Sequence, residues 1–131
     1  MKSRWLGPFF VVSAIYDGVL GLAFLFFWPR VFQAFGVPPP NHPGYVQFPG
    51  LLLITFGLMF LQIARDPRAN RNLIPFGIGL KLSYAGLVFW FKLTQGIPGM
   101  WMPWAWADLV FLALLVVAWR ATAPSAVARV D

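Results

Sequence analysis

The stretch GPFFVVSAIYDGVLGLAFLFFW, residues 7–28, carries one formally charged side chain, Asp17, in an otherwise apolar, small or weakly polar run. At about 1.5 Å per residue, a helix of this length crosses a hydrocarbon core of roughly 30 Å, whereas a run this long and apolar has no place in an ordinary soluble core. Three further runs have the same character: Tyr45 to Ala64, Leu73 to Phe91 and Pro103 to Trp119. Hydrocarbon offers no hydrogen-bond partners to the backbone, so each run must satisfy its own amides as a helix. The expected fold is all-α, an antiparallel up-down bundle of four transmembrane helices (about 7–28, 45–64, 73–91 and 103–119) in one domain, 1–131.

Composition points the same way. The chain is 60% hydrophobic, 18% aromatic and only 11% charged, with a mean hydropathy of +0.71; more apolar surface is present than a soluble domain of 131 residues can hide. There is no cysteine, which excludes disulfides and thiolate metal sites. The formal charge of +6 would suit nucleic acid, but the basic residues flank the apolar runs instead of forming one polar face, so no nucleic-acid partner is expected.

The connections are punctuated. Pro29 to Gly44 contains Pro38-Pro39-Pro40 and Asn41-His42-Pro43-Gly44, which cannot continue a helix, and leaves room for a short interfacial helix at Val31 to Phe35. Arg65 to Asn72 is short and charged and suits a tight antiparallel pair. Lys92 to Met102 carries Gly96, Pro98 and Gly99. Lys2, Arg4, Arg65, Arg68, Arg71, Arg120 and Arg129 fall on one side of such a bundle and Arg30 and Lys92 on the other, which predicts both termini in the cytoplasm of a multi-pass cell-membrane protein, the inner membrane in a bacterium. Trp5, Trp28, Trp90, Trp101, Trp104 and Trp119 lie near the span ends, where an indole buries its rings and keeps its N–H wet. Lys2 and Arg4 before an apolar run also resemble a signal peptide, but the run is long, is interrupted by Asp17 and precedes three more spans, so it reads as an uncleaved first helix.

Helices packed in lipid need small residues at their seams. Ala14, Gly18 and Gly21 on the first span, Gly50 and Gly57 on the second, and Gly79 and Ser83 on the third have the spacing for such seams or for homodimer faces.

The residues whose placement is costly are the informative ones. Asp17 and Lys81 both fall roughly 12 to 15 Å from the cytoplasmic edge, and an ionised group there costs about 2.5 to 3.5 kcal/mol unless it is paired. An interhelical Asp17–Lys81 ion pair is therefore expected. Asp108 enters from the outer side, roughly 7 to 8 Å into its helix, within reach of Lys81. One ammonium and two carboxylates leave a negative charge, to be met by a proton or by a donor such as Tyr16, Tyr84 or Ser83. Ser13 shares a face with Asp17, and Gln47 with Pro49 stands near the outer end of the second span. The candidate site is a ligand pocket or buried polar network of Asp17, Gln47, Lys81, Tyr84 and Asp108, with Ser13, Tyr16, Ser83 and His42 as possible supporting residues.

His42 is the single histidine and lies in the proline-rich loop; with no cysteine or glutamate, neither a bis-histidine haem nor a conventional zinc site can be assembled, and no cofactor or metal is expected. No Walker loop, dinucleotide fingerprint or nucleophile elbow is present.

The first span from Gly18 to Phe27, its ending Trp28-Pro29-Arg30 with Phe35-Gly36-Val37, the glycine-bearing second span Gly50 to Leu61, and Lys81 in the third together resemble the DoxX-like small membrane proteins. That resemblance implies a compact four-helix bundle and roles beside membrane redox or quinone-linked systems or in chaperone-like assembly, with no catalytic residue to carry over. Some relatives have a basic residue near the start of the second helix where this chain has Gln47 and Phe48.

Function is expected to be non-catalytic, as an accessory subunit of a larger membrane complex or as a binder of a lipophilic small molecule such as a quinone or lipid. The alternatives are a membrane enzyme using Asp17 or Asp108 as acid/base tuned by Lys81, and a proton- or solute-coupled transporter working as a homo-oligomer.

Overall fold

The computed structural model describes residues 4–124; Lys2 and Arg129, two of the basic residues counted above, lie outside the described residues. Five α-helices follow in order: α1 Leu6–Phe26, α2 Trp28–Ala34, α3 Gly44–Arg65, α4 Ile74–Thr94 and α5 Met102–Ala121. Four of them are long and apolar enough to cross a membrane, and the all-α four-helix expectation holds. In the most apolar window of α1 only 33% of residues are buried, with lower shares in the other three. Val11, Ile15, Val19 and Leu22 of α1, Leu51, Leu58 and Leu61 of α3, and Val110 and Val117 of α5 all face outward. So much outward-facing aliphatic surface is solvated only by lipid. The chain is a small polytopic membrane protein.

The helix limits differ from the expected ones in physically readable ways. α1 stops at Phe26 because Phe27 leaves the helical region (φ −121°). The short helix then begins at Trp28 instead of Val31, since Pro29 falls in its first turn, where a missing amide costs nothing. Gly36 (φ +66°) ends it: its N–H meets the Gln33 carbonyl and the Val37 N–H meets that of Phe32, the paired closure that requires a left-handed residue. α4 runs on past Phe91 to Thr94 and carries Lys92 in its last turn, where a cation is favourable.

The helices pack as two hairpins of unequal closeness. α1 lies against α3 along its length and α4 against α5, whereas the backbones of the two hairpins approach each other at few points, those of α3 and α4 included. The α1–α3 seam is glycine-made: a Cβ on Gly21 would stand 2.5 Å from the Gly50 carbonyl oxygen, and one on Gly57 would stand 3.0 Å from that of Ala14. Backbones this close leave no room for a side chain, which is how small residues substitute for hydrophobic drive in lipid. Gly79 and Ser83 form no such seam. Nothing lies within 4 Å of a Cβ on Gly79, and Ser83 is exposed with its hydroxyl bonded back to the Gly79 carbonyl at 2.6 Å.

At one end, Leu6, Phe10, Ala14, Phe60, Ile63, Ile74, Leu115 and Ala118 make a filled core. That end is also fastened by Arg71, which lies 3.5 Å over the Trp119 ring and donates to the Trp119 carbonyl at 2.8 Å and to Thr122 Oγ1 at 3.3 Å, so that a guanidinium covers the open carbonyls of α5. At the other end Phe24, Phe32, Val46 and Met100 form a smaller cluster, with Trp101 packed on it.

Candidate functional site

Between these two clusters lie the charged residues. The Lys81 ammonium donates to Oδ1 of Asp17 at 2.6 Å and to Oδ1 of Asp108 at 3.1 Å, joining α4 to α1 and to α5. All three are buried: 0% exposed for Asp17, 1% for Lys81 and 6% for Asp108. Helix periodicity accounts for their convergence, because Ser13, Asp17 and Gly21 stand on the inner face of α1 and Gly77, Lys81 and Ala85 on that of α4. Around the ammonium stand three aromatic rings, with centroids at 4.9 Å (Phe111), 5.1 Å (Tyr16) and 6.0 Å (Phe60). In hydrocarbon, where water does not weaken them, ring faces add to what the two carboxylates supply. Gly77 makes room for this arrangement: a Cβ there would stand 2.8 Å from the Phe60 ring.

Next to the ionic cluster is a cavity of about 300 Å³. Asp17 and Asp108 are its polar side, while Leu20, Phe24, Gly50, Leu53, Leu80, Trp101 and Trp104 are among its walls. Its lining residues Tyr45, Pro49 and Leu52 on α3 are exposed, and Leu80 and Tyr84 on α4 half-buried; this places the mouth between these two helices, facing the bilayer. Pro49 sits inside α3 and removes the amide that the Tyr45 carbonyl would meet in an unbroken helix.

Three buried polar atoms near the cluster have no partner among the described residues: Asp17 Oδ2, Tyr16 Oη and Trp104 Nε1. Asp17 and Trp104 are among the residues lining the cavity, but Asp17 Oδ2 and Trp104 Nε1 are sealed from it, and of the two carboxylates Asp108, 6% exposed against 0% for Asp17, is the one that keeps access to open space. Buried polar atoms are ordinarily satisfied, so these orphans mark a strained polar layer beside the cavity.

The structure distributes the other candidate residues variously. Tyr84 lines the cavity and donates its hydroxyl to the Trp101 carbonyl at 2.8 Å, pinning the turn before α5. Ser13 is buried but its hydroxyl returns to the Phe9 carbonyl at 2.9 Å. Tyr16 contributes its ring face to Lys81, not its hydroxyl. Gln47 is not part of the cavity wall; its amide donates to the Leu25 carbonyl at 3.3 Å and ties α3 to the end of α1. Ser83 faces outward, one helical face away from Lys81. His42 is exposed in the loop, where its Nδ1 accepts the Gly44 N–H at 3.0 Å and shapes the entry into α3. Among the described residues no three His, Cys, Asp or Glu stand together as metal ligands.

No family model, curated protein or solved structure matches this chain. The resemblance drawn from the sequence patterns thus stands on those patterns alone, and the reading of the site rests on its geometry.

Sequence reasoning did not single out Phe60 and Phe111, the rings around Lys81, nor Trp101 and Trp104 as cavity walls. The tryptophans look like interfacial anchors in a linear reading. The signal available for the phenylalanines was their position on α3 and α5 at depths matching Lys81, which becomes meaningful only once the helices are set side by side.

Proposed function

We propose that this protein is a non-catalytic binder of a lipophilic small molecule, working as a single transmembrane domain that admits its guest sideways from the bilayer. The observation that carries the reading is the cavity of about 300 Å³, apolar over most of its wall and ending on the Asp17–Lys81–Asp108 cluster. That volume is at the small end of small-molecule sites, whose general form is apolar walls with a few convergent polar groups. The three-way ion pair gives the cavity a fixed polar end, because an ammonium held by two carboxylates on three helices has little freedom to move. A quinone, a lipid fragment or another amphiphile of this size fits that description. An accessory role in a larger complex would use the same cavity as the place where the guest is handed on.

The test is direct. Protein extracted in an uncharged detergent and analysed by native mass spectrometry is expected to carry a lipophilic guest at defined stoichiometry. Leu53→Trp, which places an indole in the cavity, is expected to remove that guest while the protein stays folded. Retention of the guest by Leu53→Trp would place it elsewhere and overturn the reading. Flux of protons or solutes into proteoliposomes that is lost in Asp17→Asn would favour the transporter alternative instead.

The orientation proposed is with Arg4, Arg65, Arg68, Arg71 and Arg120 in the cytoplasm. Since the chain has no cysteine, His42→Cys gives a unique thiol. It is expected to react with a membrane-impermeant maleimide added outside intact cells, and protection until the cells are lysed would invert the topology.

A further inference from the structure

We infer that the guest carries a cationic amine head, and that the class of ligand is a lipophilic amine instead of a neutral or anionic amphiphile; the inference rests on the reading of the cavity as a guest site. Three observations combine. First, the cluster is unbalanced: one ammonium, Lys81, stands between two carboxylates, Asp17 and Asp108, and no other charged residue among the described residues lines the cavity. In hydrocarbon an excess carboxylate charge is met either by a proton or by a cation from outside. Second, the imbalance borders the cavity: Asp17 and Asp108 are among its lining residues and Lys81 is not. A proton would neutralise the cluster without any need for a space beside it. Third, Asp17 is wholly buried, with Oδ1 on Lys81 and Oδ2 without a partner among the described residues, whereas Asp108 keeps 6% exposure, so the carboxylate open to a guest is Asp108.

A protonated amine placed at this wall donates to the Asp108 carboxylate, and a charge-assisted bond of that kind is about twice as strong as one between neutral groups. Phe24, Tyr84, Trp101 and Trp104 are among the walls, and aromatic residues are the apolar lining most compatible with a cation. An anionic head would meet two carboxylates and no facing cation.

The experiment titrates phenylbutylamine, phenylbutanol and phenylbutyrate, which share one apolar body, into the protein in an uncharged detergent, with quenching of tryptophan fluorescence as readout and Leu53→Trp as the filled-cavity control. The amine is expected to bind about tenfold more tightly than the alcohol, the carboxylate most weakly, and all binding to vanish in Leu53→Trp. In Asp108→Asn the preference for amine over alcohol is expected to collapse toward unity. Equal binding of amine and alcohol to the natural protein, both lost in Leu53→Trp, would overturn the amine assignment and leave the guest site standing. Binding indifferent to Leu53→Trp would overturn both. The ratio in the natural protein decides even where Asp108→Asn does not fold.

Discussion

The two ends of the bundle solve the same packing problem in opposite ways. Where α1 and α4 begin and α3 and α5 end, Phe10, Phe60, Ile63, Ile74 and Leu115 are wholly or almost wholly buried and fill the space between hairpins, and Arg71 fastens the outer edge to α5. Toward α2 the α1–α3 seam stays closed at Gly21 and Gly50, but space beside it is left open as a cavity whose walls include Leu20, Leu53, Leu80 and Trp104. The Asp17–Lys81–Asp108 cluster stands at the boundary and holds three helices at a common level. The difference teaches that close packing and open space are separated along the bundle axis: one half is filled, and an ionic clasp ties three helices together beside the space in the other.

The strongest way to break this division is to unbalance the clasp. Lys81→Met leaves two carboxylates buried without their cation and is expected to cost about 3 to 5 kcal/mol, read as unfolding by denaturant in detergent micelles. The triple variant Asp17→Leu, Lys81→Met, Asp108→Leu is expected to recover most of that loss, because apolar groups of similar size replace a buried ionic cluster at little cost. A triple variant as unstable as Lys81→Met alone would show that the clasp contributes more than the balance of its charges.

The packing contrast is tested by two truncations of equal chemistry. Ile63→Ala, in the filled end, is expected to lose about 2 to 5 kcal/mol. Leu53→Ala, on a wall that already borders empty space, is expected to lose less than about 1.5 kcal/mol, because little new cavity surface is created where contacts are already missing. Similar losses at the two positions would mean that the open end is packed as tightly as the other.

Gly21→Ala probes the seam that both ends share. Its new methyl meets the Gly50 carbonyl at 2.5 Å and the Ile54 side chain at 2.9 Å, so the α1–α3 backbones must part, at about 1 to 3 kcal/mol. A lowered thermal midpoint in micelles checks this, and the same substitution at Gly79, which faces open space, is expected to leave the midpoint unchanged. The smallest effect belongs to Gln47→Leu, which removes a single half-buried bond to the Leu25 carbonyl, worth about 0.5 to 1.5 kcal/mol; because Gln47 is off the cavity wall, guest occupancy in native mass spectra is expected to persist.

Much of the architecture was legible in the linear sequence. Run length and hydropathy located four spans to within a few residues, since a bilayer of fixed thickness admits few alternatives, and the cost of burying Asp17 and Lys81 at one depth called for partners near each other. Side-chain roles were less legible. Gln47 shares the outer end of α3 with Pro49, yet its rotation about the helix turns it to the α1 backbone. Ser83 is two residues from Lys81, and a helix puts two residues about 200° apart, so it faces lipid. Tyr16 is adjacent to Asp17 and offers Lys81 a ring face instead of its hydroxyl.

The sequence by itself determined that hydrocarbon is the solvent for these helices and that their few charges had to turn inward, because both follow from transfer costs that each residue carries wherever it stands. Only the tertiary structure decided that Phe60 and Phe111 close around the ammonium, that Gln47 and Ser83 turn away from it, and that a cavity opens between α3 and α4. Those outcomes depend on the rotation and spacing of whole helices, which glycine contacts between Gly21 and Gly50 and the bulk of the facing side chains set together, and which no single segment encodes.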